Sequence, residues 1–123
     1  MKPLELTETN FAETVKSSAM LLVDFWAAWC GPCRNFAPVF DTAAGLHQEV
    51  TFGKVNTETQ QNLAAAAQIT SIPTLMAFKD GVLVYSQPGA LDSRSLEELI
   101  ASLKNLDMEV VHAQMAAAGK SQQ

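Results

Sequence analysis

The sequence predicts an α/β domain built on one mixed sheet with helices on both faces. Three observations carry this. Strand-like and helix-like segments alternate along the chain, which implies crossover connections between parallel strands. Two apolar runs are instead joined through Lys79-Asp80-Gly81, and Asp-Gly between such runs is a hairpin signal, so that pair is antiparallel. A length of 123 residues, 48% apolar and 17% charged, fits one domain with a single core and excludes a disordered or low-complexity chain.

The elements follow in order. Thr9 to Lys16 carries Phe11 and Val15 four apart, with Thr7, Thr9 or Asn10 as N-cap, which predicts a short first helix. Met20 to Trp26 is nearly all apolar and too short for a typical helix, as suits a central strand covered on both faces. From Pro32 to His47, Phe36, Val39, Phe40 and Ala43 mark one face of an amphipathic helix. Pro38 removes a backbone donor inside it, so a kink is expected there. Val50 to Asn56 reads as a strand and Glu58 to Ala67 as a helix. Thr74 to Phe78 and Val82 to Ser86 are the hairpin strands, the second broken by Gln87-Pro88-Gly89. Leu96, Leu99, Ile100 and Leu103 mark a last helix, capped by Asp92 or Ser93, or by a capping box at Ser95 and Glu98. After Asn105 to Asp107, Met108, Val111 and Met115 stand at helical spacing, and Gly119 to Gln123 are expected to fray. The tail either extends the last helix or forms its own.

Charge and cysteine usage narrow the function. Thirteen acids against eight bases give a net charge of −5, with no Lys or Arg cluster of the kind a nucleic-acid binder needs. The longest apolar run, Phe25 to Cys30, is far short of the ~18 to 20 residues that span a bilayer. The acidic N-terminus does not read as a signal peptide. Cys30 and Cys33 are too few for a secreted disulfide scaffold, so composition favours a soluble, cytoplasmic domain.

Those two cysteines carry the chemistry. Trp29-Cys30-Gly31-Pro32-Cys33 follows a buried strand and opens a helix. Two intervening residues let both sulfurs meet across one helical turn. Cys30 then stands at a helix N-terminus, where unpaired N–H groups and the positive dipole end favour a thiolate, the reactive form. Pro32 suits a first turn, and Gly31 leaves the Cys30 sulfur uncrowded. Two other readings compete. Half of a zinc site would need further ligands from His47 and His112, which stand in no paired spacing. Two unrelated buried cysteines would not need Gly and Pro between them. Asp24 interrupts the apolar strand six residues before Cys30, where a carboxylate is expensive unless protonated or paired. An Asp turned to solvent at a strand end is the alternative.

Trp26-Ala27-Ala28-Trp29-Cys30-Gly31-Pro32-Cys33 resembles the active site of the thioredoxin family. The resemblance continues through Asp24, Phe52-Gly53-Lys54-Val55-Asn56, Ser71-Ile72-Pro73-Thr74, Phe78-Lys79-Asp80-Gly81 and Gly89-Ala90-Leu91, from about Thr7 to Leu106, with actinobacterial members nearest. It implies a thioredoxin fold: a five-stranded mixed sheet flanked by four helices over residues 1–107, with a C-terminal helical or frayed extension over 108–123. It implies a monomeric protein-disulfide reductase with no bound cofactor. Reducing equivalents would come from NADPH through a flavin-dependent thioredoxin reductase, and the substrates would be disulfide-containing proteins, not nucleic acid or membrane. Cys30 is then the nucleophile and Cys33 the resolving thiol, cycling through a Cys30–Cys33 disulfide. Asp24 accepts the Cys33 proton through a water, and Lys54 tunes Asp24. Ile72–Pro73 is a cis peptide that packs against the cysteines, and the Ile72 backbone pairs with an extended substrate. Trp29, Gly31, Pro32, Pro73, Gly89 and Ala90 form a flat apolar contact surface, with Trp26 packed nearby. Gly-Pro between the cysteines is the pairing of reductants. A His there would favour the reduced thiolate and make the couple more oxidising. Two residues depart from the family's common pattern: Arg34 stands where Lys is usual, and Ala28 where an acid is often found.

Overall fold

A computed structural model describes residues 2–121. Its strands are β1 (Leu4–Glu5), β2 (Met20–Trp26), β3 (Thr51–Asn56), β4 (Thr74–Lys79) and β5 (Val82–Pro88). Its helices are α1 (Phe11–Ser17), α2 (Gly31–Leu46), α3 (Gln61–Ala66), α4 (Ser93–Lys104) and α5 (Met108–Ser121). The sheet order is β1-β3-β2-β4-β5. β1 and β2 both run parallel to β3, and β4 runs antiparallel to β2 and β5, so the sheet is mixed as expected.

β2 is central, and its alternating residues feed two cores. Met20 and Leu22 pack with Phe36 and Phe40 of α2, Phe52, Leu75, and Leu96 and Ile100 of α4. Leu21, Val23 and Phe25 pack on the other face with Leu6, Val55, Phe11 of α1 and Leu63 of α3. Each fully buried Leu or Phe contributes roughly 1.5 to 3 kcal/mol, so both faces of this one strand anchor the fold.

Several boundaries differ from the sequence reading. The fifth strand is the two-residue β1, in register with Gly53 and Lys54. Gly53 is buried because Leu6 crosses it: a Cβ there would lie 2.7 Å from Leu6 Cγ. α3 begins at Gln61 rather than Glu58, because Asn56 Oδ1 accepts the N–H groups of Glu58 and Thr59 and holds a turn first. β5 runs on to Pro88, which pairs with Thr74 at a sheet edge that needs no proline N–H. The chain breaks one residue later, at Gly89 with φ +107°. Asp80 and Gly81 have φ of +53° and +78°, the left-handed pair that a tight two-residue hairpin requires.

Asn10 is the N-cap residue of α1, but its side chain turns back: Oδ1 accepts from Thr7 N–H and Nδ2 donates to the Glu5 carbonyl. Asp92 caps α4, its Oδ1 accepting the Ser95 N–H at 2.7 Å, so the capping box at Ser95 and Glu98 is not the device used. Glu98 faces Arg94 instead. At the other end of α4, Lys79 donates to the carbonyls of Leu103, Lys104 and Leu106. α2 runs continuously through Pro38. The tail forms a separate helix, and the backbone of residues 119–121 continues it where fraying was expected; Gln122 and Gln123 lie outside the described residues.

Candidate active site

β2 delivers the chain to the site and α2 carries it away. After Trp26 a short turn closes with Cys30 N–H donating to the Ala27 carbonyl at 3.2 Å. Cys30 keeps an extended backbone as the N-cap of α2, and its carbonyl accepts the first helical bond, from Arg34 N–H at 3.1 Å. Cys30 Sγ accepts the Cys33 N–H at 3.2 Å. A side-chain acceptor at an N-cap satisfies one of the helix's unpaired donors, and here the acceptor is sulfur. When the cysteines are reduced, the same N–H and the helix dipole stabilise a thiolate on Cys30.

The two cysteines form a disulfide, with Cα atoms 5.2 Å apart. Cys30 Sγ lies 3.8 Å from the Ile72 carbonyl oxygen. That is a van der Waals contact in the disulfide, which has no proton to donate; in the dithiol the Cys30 S–H can donate there. Both cysteines are buried with Ala27, against Trp26 and Ile72. Of the two cysteines, Cys30 borders the adjoining groove and Cys33 does not.

That groove holds about 640 Å³. Trp29, Gly31, Pro32 and Ile72 line its near side, and Trp29 is 67% exposed. Its far wall comes from Thr57, Gln61, Ala64, Ala65, Thr70 and Ser71. Of these six, Ser71 alone falls in a motif that the sequence singles out. No local pattern marks the other five, because Thr57, α3 and the loop after it reach Cys30 only through the tertiary fold. The Ile72–Pro73 peptide is cis. Pro73, just ahead of β4, is buried. Its carbonyl accepts the Gly89 N–H at 2.7 Å. Gly89 and Ala90 are exposed on that side, outside the groove.

Asp24 is fully buried, and among the described residues neither carboxylate oxygen has a hydrogen-bond partner. Strand alternation puts it on the β2 face that α2 covers, the helix whose first turn carries Cys33 on its buried side. Burial pushes its pKa up to about 7; Lys54 opposes that rise and Asp41 adds to it. Lys54 stands opposite Asp24 across the β2–β3 ladder. Its ammonium lies 5.1 Å from the centre of the Trp26 ring, on the aromatic face, rather than in an ion pair with Asp24. Trp26 is thus packed between the site and Lys54.

The histidines weighed as zinc ligands sit elsewhere. His47 Nε2 is 2.7 Å from Glu97 of α4, and Lys104 contacts its Nδ1 at 3.0 Å. His112 is exposed on α5. Among the described residues no group of three or more His, Cys, Asp or Glu side chains could hold a metal ion, and no helix is long and apolar enough to cross a membrane.

Known proteins share this arrangement. The sequence profile of the thioredoxin family matches residues 2–102. A Streptomyces coelicolor protein assigned as thioredoxin 2 is 47% identical over 113 residues, covering 92% of this chain and 84% of that one. The thioredoxin of Alicyclobacillus acidocaldarius is 40% identical over 101 residues, covering 81% and 96%. Among solved structures, a mutant thioredoxin from Halobacterium salinarum superposes with a TM-score of 0.79 at 33% identity, covering 86% of this chain and 94% of that one. With this fold, this pair of cysteines and these relatives, the chain belongs to the thioredoxin family of thiol–disulfide oxidoreductases, and Cys30 and Cys33 are its redox-active pair.

Proposed function

We propose that the chain works as a protein-disulfide reductase, with Cys30 as nucleophile and Cys33 as resolving thiol. The observation that supports this most is the asymmetry of the pair: Cys30 borders the groove and accepts the helix N–H, whereas Cys33 does not border it. The Cys30 thiolate attacks one sulfur of a substrate disulfide. A Cys30–substrate disulfide forms and the other substrate sulfur leaves as a thiolate. Cys33 then loses its proton to Asp24 through a water and attacks the Cys30 sulfur. The Cys30–Cys33 disulfide closes and the second substrate thiol leaves, so two electrons pass to the substrate. A base with a pKa near the working pH is suited to that transfer, and Asp24 has one. Lys54 tunes it from across the ladder.

Trp29, Gly31, Pro32 and the Ile72 backbone receive an extended substrate segment beside Cys30, with Gly89 and Ala90 on the opposite rim. Gly31-Pro32 brings no cation between the sulfurs to stabilise the reduced form, which favours the reducing direction. Re-reduction comes from NADPH through a flavin-dependent thioredoxin reductase. The working unit is a cytoplasmic monomer whose redox domain is residues 1–107. The test is NADPH consumption with a thioredoxin reductase and a disulfide-bonded protein substrate. Sustained turnover requiring both cysteines is expected. Binding of the substrate without turnover would replace this reading with that of a binding module.

A further inference from the structure

We infer that Arg34 sets substrate choice: its guanidinium is fixed at the Gly31 edge of the groove and favours segments with a carboxylate beside the attacked cysteine. The inference rests on the reductase reading. Arg34 is exposed one turn into α2, and its Nη1 donates to the Ala28 carbonyl at 3.0 Å. Its Nη2 lies 3.9 Å from the position a Cβ on Gly31 would take. The side chain is therefore folded back over the loop that carries Trp29 and Cys30. One of its five N–H groups is used on Ala28, leaving donors for a ligand.

Two features make this charge selective. Among the described residues Arg34 enters no ion pair, unlike Arg94 with Glu98 or Lys104 with Glu49. Ala28, beside it, offers no carboxylate of its own. Among the described residues that line the groove, none is charged. Lys54 is held away on Trp26, in a separate cavity that Glu5 also lines. At the Gly31 edge of the groove stands a guanidinium already anchored by its backbone bond. Its planar fork can take a carboxylate with little further ordering.

The test uses Cys33→Ser protein and three synthetic peptides, each with one cysteine as its mixed disulfide with 2-thiopyridine. The residues flanking that cysteine are Glu, Gln or Lys. Attack by Cys30 transfers the peptide and releases 2-thiopyridone, whose absorbance gives the second-order rate. The Glu peptide is expected to react about 3- to 10-fold faster than the Lys peptide, with Gln between, and added salt should narrow the ratio. In the Arg34→Gln background the ratio should fall close to one, and in Arg34→Glu it should invert. An unchanged ratio in both variants overturns the inference. So does an equal fall in all three rates, which would mean that Arg34 acts on the Cys30 thiolate rather than on the substrate. If no peptide reacts with the protein at all, the reductase reading itself fails and takes this inference with it.

Discussion

Replacing Asp24 by Asn should stabilise the oxidised protein in a strongly pH-dependent way. The side chain is fully enclosed and its oxygens have no partners, so burial is the first cause of its raised pKa, which Lys54 moderates and Asp41 reinforces. An unfolded chain returns Asp24 to its ordinary value of 3.8, against about 7 when folded. Between these two pH values the folded state binds the extra proton, so raising pH favours unfolding by about 1.4 kcal/mol per pH unit. Below the unfolded value the carboxyl is protonated in both states and costs nothing on this account. Above the folded value the whole difference is lost, on the order of 4 kcal/mol. Asn carries no charge at any pH, so the two proteins should match near pH ~4 and diverge to ~3 to 4 kcal/mol by pH ~8. Urea melts of both disulfide forms across that range measure the difference directly, and the disulfide removes cysteine titration from the comparison. A difference that stays flat with pH, or a variant less stable at neutral pH, would mean that Asp24 is solvated or ion-paired. The proton-acceptor role would then fall with it. If the role is right, the same variant should resolve mixed disulfides more slowly, because Cys33 has lost its base.

The cysteines should separate by role: Cys30→Ser abolishes disulfide reduction, while Cys33→Ser accumulates mixed disulfides on Cys30, visible by mass spectrometry. Trapping by Cys30→Ser instead would reverse the roles. Gly53→Ala should cost about 1 to 3 kcal/mol in a denaturant melt, since its methyl would overlap Leu6 and push β1 off the sheet edge. Deleting residues 108–123 should leave insulin reduction above half of the intact rate. Leu106 and its carbonyl bond to Lys79 remain, and no residue bordering the groove is lost. A larger loss would make α5 part of the working surface.

What could be read from the sequence were the features whose cause is local. Cys30 is an N-cap because a buried strand ends just before it and a proline opens the helix after it. Asp80-Gly81 turns the chain because those two residues tolerate positive φ. Asp24 is costly because its strand neighbours are all apolar, whatever packs above them. Features made by distant segments left no such mark. β1 is two exposed residues, too short for any periodicity; what fixes it is Gly53, far along the chain, cleared for Leu6 to cross. The ladder sets Lys54 opposite Asp24, while the aromatic face of Trp26 holds its ammonium. The carboxyl is thereby left without a bonded partner, and its proton affinity stays near neutrality. A direct ion pair would hold Asp24 ionised through the working pH range and remove its capacity to take a proton from Cys33. The geometry that sequence reasoning could not supply is thus the one that keeps the base usable.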